Sequence, residues 1–351
     1  MLIEILVIPF VISLFLSFYV LPKAIQNLHS KGQLSKDMYK IGQPQIPTNL
    51  GVVLVFTSFI AIAIMPLILR LYSQFFEIDD NLVVLDNFQL SFLIVVIIYA
   101  LYGLVDDNLE LDRLGKLFIP IIFTFPLIPL ISLKQFSIPY LGYINMEDSL
   151  LNTNITNLDI FRIIIVPVYV MVVSNLVNMH SGYNGQQSGL SAIIIMALIY
   201  KSILDQKYDI LLPVSAILGS IVAFLYFNFY PAKAFEGNVG SMFFGSTIGC
   251  FIVLQNYWWF GFFILVPHTI NFLLWLIWLV LMRKEPEKYL EKGGKHKKFA
   301  DLKPDGTIQP PNLLTLKWMP NVFFKSNEKQ AVLALYLFTI SFSLLGIFIF
   351  T

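Results

Sequence analysis

Long apolar stretches, separated by short polar connections, dominate the sequence. Each stretch predicts a helix that crosses a hydrocarbon core of about 30 Å, and none shows the alternation of a transmembrane β-strand. The predicted spans are residues 1–21, 50–71, 88–105, 117–133, 160–177, 189–204, 210–229, 241–255, 257–282 and 331–350. An even number of spans places both chain ends on one side. The pattern therefore predicts an all-α, polytopic integral membrane protein with about ten transmembrane helices.

Composition supports this fold class and excludes others. Of the 351 residues, 57% are hydrophobic and only 13% are charged, a balance that excludes a soluble globular protein. We expect a single transmembrane domain over residues 1–351, with one large polar loop at 283–329. The single cysteine, Cys250, excludes an intramolecular disulfide. The first stretch lacks a basic leader, so we expect it to be retained as a span and not cleaved as a signal peptide.

The basic residues are distributed unevenly between the two sides of the predicted bundle. Of the 23 lysines and arginines, 18 fall on the odd-numbered connections and five on the even-numbered ones. Since basic residues concentrate on the cytoplasmic side of membrane proteins, the odd connections are predicted to be cytoplasmic and both termini external. Polar residues at membrane depth also follow spans three, five and seven, which all end on the odd side. The sequence thus predicts one functional face, directed to the cytoplasm.

Adjacent carboxylates stand where the third span ends. Asp106 and Asp107 are followed by Glu110 and Asp112, and Lys116 comes one helical turn later. Neighbouring carboxylates repel each other, and they persist near a bilayer where a divalent cation or a proton-accepting role compensates. Oxygen ligands without cysteine favour magnesium over zinc. The alternative is an interfacial loop of solvated acids.

Two further connections carry candidate chemistry. Residues 175–189 are rich in asparagine, glutamine, serine and glycine, and their glycines permit close backbone approach to a phosphate or a nucleobase; the alternative is an ordinary turn between helices. The ninth connection contains KGGKHKK at 292–298, which suits either anionic lipid headgroups or a pyrophosphate. Asp305-Gly306 beyond it predicts a short hairpin. Lys40, in the first loop, is interpreted only as part of a positively charged cytoplasmic loop.

Together these connections resemble the polyprenyl-phosphate N-acetylhexosamine-1-phosphate transferase superfamily. The resemblance is strongest to its eukaryotic and archaeal dolichyl-phosphate GlcNAc-phosphotransferase branch. The motifs that carry it are, in chain order, DMYKIGQPQIPTNLGV, GLVDDNLELDRLGKLFIP, NLVNMHSGYNGQQSGLSAII, YPAKAFEGNVGSMFFG, VPHTINFL and KHKKFADLKPDGTI. They extend from the first odd connection to the ninth, so the resemblance covers nearly the whole chain.

The resemblance implies a role for individual residues. It implies that Asp106 and Asp107 are catalytic and that Lys116 contacts substrate phosphates. It implies that the substrate-binding residues are Asn175, Gly182 and Asn184, the last two around the uracil, Phe235 beside the nucleoside, and Lys295, His296 and Lys297 on the pyrophosphate and sugar. It further implies a Mg²⁺ cofactor, with Mn²⁺ as an alternative, held by Asn178 and Asn238.

Two positions depart from the family pattern. The family supplies a metal-binding aspartate in an FxGD motif, whereas this chain has Phe235-Glu236-Gly237-Asn238. A neutral amide oxygen removes one negative charge from the site and lowers its metal affinity unless an acid such as Glu236 compensates. Lysines also replace the arginines of the family's basic-His-basic triplet, and they bind phosphate with less geometric definition. A catalytically weakened homologue therefore stays open.

The sequence predicts a magnesium-dependent transferase that moves HexNAc-1-phosphate, GlcNAc-1-phosphate above all, from a UDP-sugar to a polyprenyl or dolichyl phosphate and releases UMP. The expected partners are these two substrates and the lipid bilayer, not nucleic acid; a homodimer stays open, and the membrane is the cell membrane if the protein is archaeal. Two alternatives are a transporter or lipid flippase, in which the carboxylates carry protons or ions, and a bacterial peptidoglycan-type or undecaprenyl-type transferase.

Overall fold

The protein is a bundle of long apolar helices. The structure, a computed structural model, describes residues 2–76, 85–109, 115, 118–150, 153–290 and 299–350. Its long helices are α1 Leu2–Ser30, α2 Gly51–Phe76, α3 Asn87–Leu109, α4 Asn157–Met179, α5 Gln186–Leu204, α6 Leu211–Asn228, α7 Gly237–Leu254, α9 Val266–Lys284 and α12 Glu328–Phe350. Shorter helices are α8 Trp258–Ile264, α10 Pro286–Tyr289 and α11 Met319–Phe323.

The all-α polytopic prediction is confirmed. Nine helices in the described part of the chain are long and apolar enough to cross a membrane. The predicted span at 117–133 is instead a 3₁₀ helix, Ile119–Leu130, that contains Pro126 and Pro129. Prolines lack the N–H that an α-helix requires, which accounts for the difference. Twelve residues at about 2.0 Å each still cover about 24 Å. The predicted span at 257–282 is divided into α8 and α9, with Pro267 in the first turn of α9.

The centre of the bundle is α7, which is almost wholly buried between α3 and α4. Small residues allow this packing. A Cβ added to Gly245 would lie 2.5 Å from Ser174 Cα of α4, and one added to Gly103 of α3 would lie 2.8 Å from Val239 Cα. Close backbone approach of this kind is how membrane helices gain packing energy without a hydrophobic driving force. It also fixes the end of α3 against the start of α7.

In the described residues, three two-stranded antiparallel hairpins accompany the helices: β1 Leu34–Lys36 with β2 Gln45–Pro47, β3 Gln135–Ile138 with β4 Gly142–Asn145, and β5 Asp301–Leu302 with β6 Ile308–Gln309. The hairpin predicted at Asp305-Gly306 is confirmed. Gly306 has a φ of 81°, and the Asp305 carboxylate accepts a hydrogen bond from Thr307 N at 2.9 Å. The first hairpin connects α1 to α2 and lies beside the polar end of the bundle.

Candidate active site

The carboxylates at the end of α3 contact the first turn of α7. Asp107 Oδ2 accepts a hydrogen bond from Asn238 N at 2.8 Å, and Asp106 Oδ2 accepts one from Asn238 Nδ2 at 3.0 Å. Asp106 is buried, with 2% of its surface exposed. The positive end of a helix dipole stabilises a nearby carboxylate, so the start of α7 holds both acids at the end of the bundle. The predicted acidic pair and Asn238 therefore lie together.

The contact between Asn238 and Asp106 gives a physical reason for the departure from the family motif. The side-chain amide of Asn238 donates a hydrogen bond to the buried carboxylate of Asp106. An aspartate at position 238 could donate such a bond only when protonated. Two carboxylates at 3.0 Å need a cation or a shared proton between them. Asn238 thus stabilises both acids by hydrogen bonds, one from its side chain and one from its backbone N–H, and adds no third negative charge.

A cleft with a volume of about 330 Å³ opens beside this contact. It is lined by residues of the first hairpin and by the ends of α3, α4, α5, α6 and α7. Six of the predicted site residues line it: Asp107, Asn178, Gly182, Asn184, Phe235 and Asn238. These residues are separated by up to 131 positions in the chain, and the antiparallel arrangement of the spans brings them to one end of the bundle. We call this space the first cleft.

Asn184 is fixed by residues that sequence reasoning did not assign to the site. Its Oδ1 accepts hydrogen bonds from Lys40 Nζ at 2.8 Å and from Ala232 N at 2.9 Å. Its backbone N donates to Glu328 at 2.6 Å, and Glu328 forms an ion pair with Lys40. The only sequence signal for Glu328 was a charge at the start of an apolar span. The pair connects the first loop and α12 to the loop between α4 and α5.

Gly182 has a conformational and a steric reason to be glycine. Its φ of 123° is unfavourable for any other residue. A Cβ at this position would also overlap the Nζ of Lys317, whose side chain lies directly against it. Lys317 belongs to a 3₁₀ turn, Leu316–Trp318, and sequence reasoning missed it, because a lysine in LLTLKWMP has no recognisable motif.

Glu236, the residue before α7, is a second acid of the first cleft. Asn228 Nδ2 donates to its carboxylate at 3.1 Å. Burial raises the pKa of Glu236 to about 7, although the hydrogen bond from Asn228 opposes this shift. The side chain therefore changes its charge near neutral pH.

Asn175 does not line the first cleft, and four other predicted site residues belong to parts of the chain that the structure does not describe. Asn175 lies about one turn before Asn178 on α4, where its amide donates to Met171 O at 2.9 Å, and it is not among the residues that line the cleft. Lys116, Lys295, His296 and Lys297 lie outside the described residues.

The donor set suits a hard divalent cation. Asp106, Asp107, Asn178 and Asn238 offer carboxylate and amide oxygens, which Mg²⁺ prefers. Within the described ranges, no group of three or more His, Cys, Asp or Glu side chains is placed to hold a metal. The site is thus poorer in charge than a three-carboxylate centre, and it does not suit a soft metal that requires thiolates.

A second cleft, of about 590 Å³, adjoins the first. Four residues line both clefts: Asn178, Ser181, Gly182 and Phe299. Trp275 and Trp278 of α9 line the second cleft, as does Lys317. The polar end of the bundle therefore contains two connected spaces, the first rich in oxygen ligands and the second lined by aromatic rings and a cation.

Comparison with known proteins gives consistent matches. The model of glycosyl transferase family 4 matches residues 89–256. A protein of Saccharolobus solfataricus, named as a candidate UDP-N-acetylglucosamine–dolichyl-phosphate N-acetylglucosaminephosphotransferase, is 32% identical over 273 residues, which cover 77% of each chain. A protein of the same name from Sulfolobus acidocaldarius is 35% identical over 195 residues, 54% of this chain and 56% of that relative. The phospho-N-acetylmuramoyl-pentapeptide-transferase of Clostridium botulinum is 26% identical over 230 residues, 64% of this chain and 63% of that enzyme.

Proposed function

Because the chain belongs to glycosyl transferase family 4, we propose that it transfers HexNAc-1-phosphate, above all GlcNAc-1-phosphate, from a UDP-sugar to a polyprenyl or dolichyl phosphate. An oxygen of the lipid phosphate attacks the phosphorus that carries the sugar. A new P–O bond forms, the bond to the UMP oxygen breaks, and UMP leaves with the electron pair. The products are a lipid-linked diphosphosugar and UMP.

The observation that carries the proposal is the convergence of the acidic pair and the polar loop in one cleft at the end of a membrane bundle. Asp107 and Asn184 line the same cleft, although the first lies near the end of α3 and the second in the loop between α4 and α5. A soluble anionic donor needs a site open to water, while the acceptor's tail stays in lipid. Carboxylates and amides at helix ends meet both requirements. Phosphoryl transfer then asks the protein mainly for alignment and for charge neutralisation.

The residues present fit a divalent cation with oxygen ligands. We assign Mg²⁺ to Asp106 or Asp107 together with Asn178 and Asn238; when bound, it would neutralise charge on the donor's phosphates. The chain's own residues would do the rest. Lys40 and Glu328 keep Asn184 in place to receive the nucleotide, and the first turn of α7 orients Asp107. The basic residues on the odd connections favour a cytoplasmic site, in the cell membrane for an archaeal protein.

The test is product formation by the purified protein in detergent. Wild-type protein is incubated with radiolabelled UDP-GlcNAc, dolichyl phosphate and Mg²⁺, and both UMP and labelled lipid are measured. Asp107→Asn keeps an oxygen that can accept from Asn238 N but removes the charge, so turnover should fall at least about 100-fold. Asp209→Asn, an exposed acid at the opposite end of the bundle, is the matched control. Unchanged turnover by the Asp107→Asn variant would contradict the assignment of Asp107 to the active site.

A further inference from the structure

Lys317 is a half-buried cation at the junction of the two clefts. Its Nζ lies against Gly182, which lines both spaces. Within the described residues, its one hydrogen bond is to Ser181 O at 3.4 Å, which is longer than the 2.7–3.2 Å typical of N–H···O bonds. The rings of Tyr183 and Trp318 lie 5.8 and 5.7 Å from it. The ammonium therefore has aromatic neighbours and one weak acceptor.

The charge of Lys317 is not balanced by an ion pair within the described part of the chain. Lys40 pairs with Asp37 at 3.2 Å, and Lys201 pairs with Asp205 at 2.5 Å, but no described carboxylate lies within 4.0 Å of Lys317. Burial lowers the pKa of Lys317 to about 8, and the charge of Glu328 opposes this shift. At neutral pH the side chain is still mostly protonated. A sequestered positive charge is costly unless an anion approaches it.

The position of this charge is favourable for an anion that bridges the clefts. Asn178 lines both spaces, so a group at the junction is accessible both to the oxygen-rich first cleft and to Lys317. Gly182 adds no side chain at the junction, so the Nζ of Lys317 lies directly against its backbone. Trp275 and Trp278 also line the second cleft, and apolar or sugar surface packs against their rings better than charge does.

We propose that Lys317 binds a phosphate oxyanion of a substrate at the junction of the two clefts. The inference rests on the proposed function, because it takes a phosphorylated substrate as the ligand. The phosphate belongs either to the lipid acceptor, with its chain toward the tryptophans, or to the donor's pyrophosphate. Both sources share one chemistry, an oxyanion that accepts charge-assisted hydrogen bonds from an ammonium.

Equilibrium binding of each substrate, measured alone, tests the proposal and separates the two sources. Lys317→Met keeps the length and apolar stem and removes the charge. Lys325→Met, an exposed lysine of the same connection, is the matched control. We expect the Kd of dolichyl phosphate or of UDP-GlcNAc to rise at least about 10-fold for Lys317→Met, as loss of a charge-assisted hydrogen bond implies, and to stay unchanged for the control. Weaker acceptor binding identifies the lipid phosphate, and weaker donor binding identifies the pyrophosphate.

The pH dependence of substrate affinity in the wild-type protein is a second measurement, and it can be made even if the Lys317→Met variant does not fold. Within the described residues, the titratable groups that act on Lys317 are Glu328 of α12, His180 after α4 and Tyr183, whose ring it faces. Neither His180, whose pKa burial holds well below 6.5, nor Tyr183, whose pKa burial raises, changes charge near pH 8. Affinity for the identified substrate should therefore fall between about pH 8 and pH 10 in the wild type, above the range in which Glu236 titrates, and should stay flat over that range in Lys317→Arg.

Two results would overturn the proposal: equal Kd values for Lys317→Met and the control, or a flat wild-type pH profile of affinity from about pH 8 to 10. A variant that loses only thermal stability, with both Kd values unchanged, would assign Lys317 a structural role. Binding and turnover also distinguish this inference from the proposed function. If the wild-type protein binds both substrates through Lys317 but forms no product, the proposed transfer reaction is wrong and the proposed role of Lys317 stands.

Discussion

Asn238→Asp restores the carboxylate of the family motif and should make the protein depend on a divalent cation for stability. In the structure, Asn238 Nδ2 lies 3.0 Å from Asp106 Oδ2 and donates to it. The substitution replaces this donor by a second negative charge. Two unit charges at this distance repel by about 5 kcal/mol at an effective dielectric constant of about 20.

Proton uptake limits this penalty. Protonating an aspartate of pKa about 3.9 costs about 4 kcal/mol at pH 7, and the shared proton then restores a hydrogen bond. We therefore expect the metal-free variant to lose about 3 kcal/mol of stability at pH 7. Because the pair binds a proton more tightly in the folded state than in the unfolded state, the loss should be smaller at pH 5 and larger at pH 8. Mg²⁺ should reverse the effect, since a third carboxylate increases metal affinity.

The assay is the thermal midpoint in detergent, by fluorescence-detected size exclusion, with EDTA and with a Mg²⁺ titration. Asn312→Asp is the control for an added negative charge. Asn312 Oδ1 accepts a hydrogen bond from Leu314 N, and an aspartate at this position still accepts it. The variant should be less stable than wild type in EDTA and should gain more from Mg²⁺. If Asn238→Asp matches the wild type in EDTA, the two side chains do not face each other as described. If it is destabilised but gains nothing from Mg²⁺, these residues do not form the metal site.

Two further predictions concern the acids that surround the first cleft. Burial raises the pKa of Glu236 to about 7, so its contribution to stability is present below about pH 4.5 and is lost as the pH rises to 7. Glu236→Gln should remove up to about 3 kcal/mol of this pH dependence, measured as thermal midpoints in EDTA from about pH 4.5 to 8. If the midpoints of the variant and the wild type change with pH in the same way, the assignment is wrong. Lys40→Met leaves Glu328 buried without its ion-pair partner, which should cost about 3–5 kcal/mol and raise the KM for the donor, because Asn184 loses an anchor. The double variant Lys40→Met/Glu328→Gln should recover much of the lost thermal midpoint, but its KM for the donor should stay high. Equal midpoints for the single and double variants would show that the unpaired Glu328 carboxylate does not cause the loss of stability.

The membrane architecture could be predicted from the sequence because a lipid environment leaves few alternatives. Every backbone N–H and C=O must be satisfied within the segment, so a long apolar run becomes a helix. The two predicted spans that differ have a local cause, proline: Pro126 and Pro129 lie in the 3₁₀ helix at residues 119–130, and Pro267 lies where α8 and α9 divide. Hydrophobicity alone does not distinguish an α-helix from a 3₁₀ helix when proline removes the donors.

Motif residues of the site were predictable because chemistry restricts them locally. Asp106 and Asp107 are adjacent, and Gly182 stands in a polar loop, so each pattern is visible in a short window. Lys317 and Glu328 have no such pattern. Their importance comes from contacts with Gly182 and Asn184, across 135 and 144 positions of the chain, and a single sequence contains no signal for these partners.

The same long-range contacts explain why the polar loop between α4 and α5 is not merely a turn. An ordinary turn satisfies its backbone groups within itself, whereas this loop uses outside partners on both sides. Glu328 accepts from Asn184 N, and Asn228 Oδ1 accepts from Gly185 N at 3.1 Å. Tyr336 of α12 donates to Gly185 O as well. A loop held from α6 and α12 at successive residues is preorganised, and preorganisation lowers the entropic cost of binding a ligand. The placement of these hydrogen bonds favours the binding interpretation over an ordinary turn and gives it a physical basis independent of the family motif.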